Sequence, residues 1–286
     1  DLNNATDEEV AELSTIVEIP EEILVAIRDD DEVPRFEKYD DFQFILLQTP
    51  RSTLEEDEED SLSGDYSVSP LGILYTDEFV ITISDGKNDV VNYLKNKLKN
   101  FQKNKIIDTS QIPQLILKFL LFTSKVYLRY LKVMNRKIRE AQSKLERLPE
   151  NEQILRLMDL EKTMVYFNTS LHSNQIVIEK LTKRKFFNNS EDDEELTEDV
   201  LDENRQAIAT VGIYSKIIAH ISSAFSSVIS NNVSQTVRFL TSVTIILMIP
   251  TLVASVYGMN LDLPFQNSSK AFIVVMLFSG LLSMLA

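Results

Sequence analysis

No cysteine and no tryptophan occur among the 286 residues, and there are only two histidines and six glycines. Without cysteine there is no disulfide framework, no thiolate zinc or iron–sulfur site and no cysteine nucleophile. Two imidazoles, His172 and His220, are too few for a histidine metal cage. Neither has a neighbouring acid–nucleophile arrangement, so both read as structural. No P-loop, GxSxG or HExxH motif is present, so neither ATP coupling nor an enzyme is expected. Positive charge is also short. Lys and Arg number 29 against 44 Asp and Glu, a net charge of −15, the wrong sign for a nucleic-acid partner. No basic-then-apolar leader opens the chain, and its start at Asp1 reads as part of a longer protein.

What charge there is lies segregated. Residues 1–69 hold 22 acids and 4 bases, residues 87–185 hold 21 bases and 9 acids, and residues 186–238 hold 9 acids and 3 bases. Phe239 to Leu261, FLTSVTIILMIPTLVASVYGMNL, is 23 residues without a charge. About 20 apolar residues cross a bilayer core as a helix, and membrane helices tolerate a proline such as Pro250. A second uncharged run, AFIVVMLFSGLLSMLA, covers 271–286. Two membrane helices joined by LDLPFQNSSK are therefore expected. A buried globular hairpin is the alternative, although globular helices rarely run so far without a charge. Lys216 and Arg238 stand on the N-terminal side against Asp262 and Lys270 in the loop. That balance leans toward a cytoplasmic N-terminal domain, and a two-span hairpin returns the C-terminus to the same side. The expected location is the cell membrane, multi-pass, with both termini cytoplasmic.

Residues 1–110 read as an α+β cytosolic domain, a mixed sheet flanked by helices. Thr6 and Glu9 in TDEEVAEL form a capping-box pattern, and IPEEILVAIRD is a second short helix with Pro20 at its first turn. PRFEKYD, DFQFILLQT, YSVSPLGILYT and EFVITIS read as strands. RSTLEEDEEDSLSGD between two of them is an acidic loop, either simply solvated or attractive to cations. Residues 111–190 read as a long antiparallel helical pair, Gln111 to Leu148 and Asn151 to about Lys185, after a shorter helix from Asn88. The basic surface of the pair suits anionic lipid headgroups or acidic partners equally.

NNSEDDEELTEDVLDENRQ opens the last cytosolic helix, acidic in its first turns as a helix N-terminus favours. It runs without a stop signal from Asp193 to Tyr257, roughly 95–100 Å at about 1.5 Å per residue. The reading divides it into a stalk (191–238) and a first membrane helix (239–261), followed by a loop (262–270) and a second membrane helix (271–286). A helix this long must pack against something. Val200, Ile208, Val211, Ile217, Ile221, Phe225 and Val228 form one stripe, for which copies of the same helix are the expected partner.

Within the membrane run, Thr241, Thr244, Met248, Thr251 and Ser255 recur at spacings of 3, 4, 3 and 4. Val237 and Ser234 continue the stripe downward, on one face of a helix. Such a stripe serves either a close helix–helix contact or a pore lining with hydrophobic constrictions. It carries no carboxylate, so a pore so lined suits a hydrated ion rather than a tightly held one. The stripe ends in Tyr257-Gly258-Met259-Asn260. Gly258 can stop the helix and expose carbonyls. A ring of Asn260 amides could hydrogen-bond the water shell of Mg²⁺, which takes oxygen ligands and sheds water reluctantly.

Gly258-Met259-Asn260 at the end of the first of two membrane helices resembles the signature of the CorA family of magnesium channels. MIPTLVASVYGMNLDLPF, IPEEILVAIRDDDEVPRFEKYDD and SPLGILYTDEFVITI extend the resemblance over essentially the whole chain. The resemblance implies a homopentamer in membrane lipid, whose first membrane helix lines a pore for hydrated divalent cations, Mg²⁺ and with it Co²⁺ or Ni²⁺. It implies no organic cofactor. Gly258, Met259 and Asn260 then form the outer ion-binding ring, Leu240 and Met248 the hydrophobic constrictions, and Thr241 and Thr251 pore-lining positions. Asp199 matches an acidic position that binds regulatory Mg²⁺ between subunits, with Glu195, Asp202 and Glu203 as assisting acids. Ser234 stands where many relatives have asparagine, and Arg238 where lysine is usual. The basic tail that the family places after the second helix is absent. A zinc transporter resembling ZntB is the alternative within transport, and a membrane-anchored scaffold the alternative outside it.

Overall fold

The computed structural model describes residues 2–3, 17, 19–52, 66–86, 88–101, 112–147, 151–183, 191–259 and 270–285. They fall into two compact units, Asp1–Ser222 and Ser223–Ala286. The expected helix at 6–13, the acidic loop beyond Ser52, Asn260 and all but Lys270 of the loop at 262–270 lie outside the described residues.

The first unit is built on a five-stranded sheet in the order β1-β5-β4-β3-β2. The strands are β1 (Leu2–Asn3), β2 (Arg35–Lys38), β3 (Gln43–Ser52), β4 (Tyr66–Tyr75) and β5 (Val80–Ser84). β1 pairs parallel with β5 and all other neighbours are antiparallel, so the sheet is mixed as expected. Both faces are covered, which is why FILL in β3 reads as an unbroken apolar run rather than an alternation. Phe44, Leu46, Leu74, Ile81 and Ile83 pack under α1 (Glu21–Arg28), against Ile23, Ala26 and Ile27. Gly72 lets the helix sit close there: a Cβ would stand 2.8 Å from Ile27 Cδ1 and 3.0 Å from Phe44 Cε2 and would force those side chains to shift. Pro70 costs no ladder bond, since β4–β5 pairing ends at Leu71 and Ser84.

Three helices follow: α2 (Asp89–Phe101), α3 (Ile112–Arg147) and α4 (Asn151–Lys183). Asn88 caps α2, its Oδ1 accepting from Val90 and Val91 N–H at 3.1 and 3.2 Å. α3 and α4 pack on each other and on β3. Tyr127 meets Phe167 edge-on at 5.1 Å, and Tyr66 meets Tyr130 at 5.1 Å. Where β2–β3 pairing stops at Arg35 and Leu46, a side chain replaces the missing strand. Asn174 Oδ1 accepts from Gln48 N–H at 3.0 Å and its Nδ2 donates to Gln48 C=O at 2.7 Å. Tyr127 Oη donates to the same carbonyl at 3.2 Å.

α5 (Glu191–Tyr257) is a single helix of 67 residues, with Pro250 inside it. As far as Ile218 it is seated within the first unit through Asp193, Thr197, Val200, Asn204, Ala207, Val211 and Ile218, all buried. Gln114 Nε2 donates to Asp193 Oδ1 at 2.9 Å, and Ser124 Oγ to Asn204 Oδ1 at 3.5 Å. This seam differs from the stripe read off the sequence. Val200 and Val211 belong to it, but Ile217 and Val228 are exposed. The reading followed large apolar residues, whereas the packing follows a 3–4 spacing that admits polar groups. The first partner of the stalk is thus α3 of the same chain.

The second unit holds the rest of α5 and α6 (Ala271–Leu285). α5 is the helix among the described residues long and apolar enough to cross a membrane; α6 is uncharged, mostly apolar and spans 15 residues. Ser283 Oγ donates to Ile246 C=O at 3.1 Å, tying the two together. Phe239, Leu247 and Leu277 are about 65–71% exposed. Apolar surface left open on this scale is suited to lipid or to other helices.

Candidate functional site

Asp192, Glu195 and Asp199 lie one and two turns apart on α5 and line one open pocket of ≈ 280 Å³ with Gln114 and Leu196. Glu195 and Asp199, two of the acids named from the sequence, therefore line the same pocket. Asp192, seven residues before Asp199, joins them on the same face. Asp202 instead turns to Arg205 at 3.3 Å, and Glu203 to Lys125 on α3 at 3.8 Å. Both pairs are solvent-exposed and weak. Buried Asp193 takes no part, because its carboxylate receives Gln114 and fixes α5 to α3. Among the described residues no group of three or more acidic or imidazole ligands converges on a point. A cation at this face would need further ligands from outside the chain.

The second candidate region is the stripe. Ser234, Val237, Leu240, Thr241, Thr244, Met248, Thr251 and Ser255 are all exposed, as are Gly258 and Met259. Residues Leu252, Val253, Val256 and Tyr257 of α5 and Val274, Val275 and Phe278 of α6 line an apolar cavity of ≈ 400 Å³. None of these is a stripe residue, so α6 leaves the stripe uncovered. Three hydroxyls of the stripe are committed in a defined way. Thr241, Thr244 and Thr251 each donate their proton at 2.8 Å to the carbonyl four residues back, Val237, Leu240 and Leu247. A hydroxyl whose proton is spent in this way presents only lone pairs outward. The stripe therefore offers a row of neutral acceptors between the apolar Val237, Leu240 and Met248.

α5 ends at Tyr257. Gly258 N–H still donates to Ala254 C=O at 2.9 Å, and Met259 N–H to Val256 C=O at 3.2 Å. The stop does not use the left-handed conformation, which among the described glycines occurs only at Gly86 (φ 85°). What Gly258 supplies is lack of bulk: a Cβ there would lie 3.3 Å from Ala254 O. Asn260, the remaining residue of the signature, is outside the described residues.

The comparisons with known proteins agree with one another. The family described as CorA-like Mg²⁺ transporter protein matches residues 1–286. The cobalt/magnesium transport protein CorA of Methanocaldococcus jannaschii is 29% identical over 278 residues, which cover 96% of this chain and 84% of that protein. The complete structure of the magnesium transporter CorA from that organism superposes with a TM-score of 0.82 at 28% identity, over 99% of this chain and 86% of the other. The ZntB cytoplasmic domain from Vibrio parahaemolyticus shares the fold at 13% identity, with a TM-score of 0.58 over 78% of this chain and 84% of that one. With a match over its whole length, the chain belongs to the CorA family of divalent-cation membrane transporters, and it is a transporter rather than an enzyme.

Proposed function

We propose that five copies of this chain form a channel that passes hydrated Mg²⁺ inward across the cell membrane, with Co²⁺ or Ni²⁺ as further cargo. The observation that carries the reading is the stripe of acceptor-only hydroxyls at Thr241, Thr244 and Thr251. Water bound to a dication points its hydrogens outward, so a path for the hydrated ion needs acceptors and no fixed charge. Mg²⁺ is the ion for which passage with its water shell matters most. Met248, Leu240 and Val237 alternate with these hydroxyls and serve as constrictions that close by dewetting. Ser234 is the smaller inner polar position. Gly258, Met259 and Asn260 form the outer ring that receives the ion. α5 and α6 both span the bilayer, and both termini face the cytoplasm. A potential of 100 mV contributes about 4.6 kcal/mol to moving a dication, so the gradient suffices without ATP.

Closure is assigned to the acidic face. Intracellular Mg²⁺ sits between subunits at Asp199 and Glu195, and Asp202 and Glu203 assist on leaving their weak pairs with Arg205 and Lys125. The face is open in the single chain, and its carboxylates do not complete a site by themselves. When the ion leaves, like charges on adjacent stalks repel and the bundle loosens, a two-state element biased by its own cargo.

The test is ion flux into liposomes holding the purified protein, with Mg²⁺, Co²⁺, Ni²⁺ and Zn²⁺ in competition. Asn260→Ala should abolish Mg²⁺ entry, and normal entry in that variant would refute the ring. Preference for Zn²⁺ over Mg²⁺ would favour the ZntB-like alternative instead.

A further inference from the structure

Helix α4 of the first unit is apolar on two faces. One is covered: Leu157, Leu160, Met164, Phe167, Leu171 and Ile178 are buried. The other is open, with Leu155, Met158, Val165 and Ile176 at 60%, 57%, 57% and 67% exposure. With Lys162, Thr169 and His172 between them, these residues recur at spacings of 3, 4, 3, 4, 3 and 4. All seven positions are exposed. The pattern is that of the a and d positions of three heptads, which face a second helix in a coiled coil. One apolar stripe is enough to hold a surface helix to its own core. The second stripe calls for a partner outside the chain.

Charge decides which partner. α4 carries four acids, Glu152, Asp159, Glu161 and Glu179, and four bases, Arg156, Lys162, Lys180 and Lys183. It therefore does not repel a copy of itself. The exposed ridge of α3 does, since Lys118, Lys125, Arg129, Lys132 and Arg136 line it, and so do the acidic first turns of α5. Lipid does not suit the seam, because Lys162 lies within it. We propose that this face of α4 docks on the same face of α4 in a second copy of the chain, as a parallel two-stranded coil.

The direction follows from the same charges. In parallel register Lys162, at an a position, stands beside the partner's Glu161, at the preceding g position. The contact is reciprocal, so two ion pairs flank the two lysines. Leu155, Met158, Val165 and Ile176 each meet their own counterpart. Run antiparallel, with Met158 on the partner's Ile176, the seam sets Leu155 against the partner's Glu179 and Lys162 against the partner's His172. Lys180, which could then reach the partner's Asp159, is already held by Phe36 C=O at 3.1 Å. A parallel contact of this kind is isologous, related by a two-fold axis, and cannot close a ring of five. With the pore reading above it joins copies from two neighbouring channels, and it does not depend on that reading.

The chain has no cysteine, so a single introduced thiol reports the contact directly. The full chain in liposomes is oxidised as Met158→Cys, with Lys132→Cys on the exposed ridge of α3 as the reference. A parallel seam sets position 158 against itself, whereas the antiparallel one sets it 18 residues away, about 27 Å. Two thiols held together meet at millimolar effective concentration, so Met158→Cys should form the linked pair at least about tenfold faster than Lys132→Cys. The double variant Met158→Glu, Val165→Glu sets like charges against each other across the seam. Both side chains are exposed in the single copy, so its thermal unfolding should be unchanged, while the doubled particle mass of the wild type in detergent should disappear. Linking no faster than the reference, a wild-type particle that never doubles, or a Met158→Cys product holding a different protein would overturn the pairing. Loss of Mg²⁺ flux in the double variant would overturn it too, because the seam would then belong to the ring. Absence of flux in the wild type would strike the pore reading and leave the pairing standing.

Discussion

Asn174→Ala removes the group that stands in for a strand at the end of β2. Asn174 and Gln48 are 2% and 4% exposed, so water does not replace the lost amide. The Gln48 N–H, bonded at 3.0 Å in the native protein, is left without an acceptor, while its carbonyl keeps the Tyr127 hydroxyl at 3.2 Å. An orphaned buried N–H costs about 1–3 kcal/mol, and the small cavity adds about 1 kcal/mol. The expected loss is about 2–4 kcal/mol. Tyr127→Phe leaves the same carbonyl bonded to Asn174 Nδ2 at 2.7 Å and should cost less, about 1–2 kcal/mol. Denaturant unfolding of the detergent-solubilised chain, followed by near-ultraviolet dichroism of its nine tyrosines, measures both. A cost below about 1 kcal/mol for Asn174→Ala, or one no larger than that of Tyr127→Phe, would refute the account. The contact anchors to the sheet the helical pair whose α3 meets the first turns of α5.

Two further substitutions probe separate parts of the first unit. Asp199→Lys puts a cation into the acidic face, so Mg²⁺ should no longer protect the protein from limited proteolysis; unchanged protection removes Asp199 from the sensor. Burial is the chief cause that raises the Asp30 carboxyl above its ordinary 3.8; Arg51 opposes it, and Asp85, Asp31 and Asp29 add to it. Ionised Asp30 therefore disfavours the fold at neutral pH, and the penalty fades as pH falls through its raised value toward the ordinary one. Because the carboxyl is only partly covered and stays mostly in water, Asp30→Asn should raise stability by no more than about 0.5 kcal/mol at pH 7. The gain should vanish near pH 3, and one that persisted there would show another cause.

Periodic features were legible and non-periodic ones were not. Helix α3 was expected at Gln111 to Leu148 and spans Ile112–Arg147, because its apolar residues repeat at three and four and Pro149 ends the pattern. The four expected strands all formed, since β-branched and aromatic runs between turns carry their own signal. β1 was missed: two residues paired parallel with β5 leave no pattern in sequence. So was the Asn174–Gln48 contact, which joins residues 126 positions apart. At the acidic face, Asp199 and Glu195 line one pocket with Asp192 and Gln114, which the sequence reading does not name. Asp192 could have been found, seven residues before Asp199 in the same register. Gln114 could not, because it arrives on another helix.

The stripe shows most clearly what a sequence leaves undetermined. Its spacing fixes which residues share a face, but a threonine can donate or accept, and a face of donors would repel a hydrated cation. The backbone decides. In a continuous helix the carbonyl of residue i−4 stands within reach of a threonine hydroxyl, and Thr241, Thr244 and Thr251 all surrender their protons there. The outward face becomes an acceptor surface without any acid in it, so it can hold the water around an ion without trapping the ion. A helix–helix contact on this face would need a second helix seated there, and α6 takes a different one, through Ile246 and the residues lining the apolar cavity. α6 thus leaves these hydroxyls uncovered, with their lone pairs outward. In the proposed channel this face borders the water around the ion.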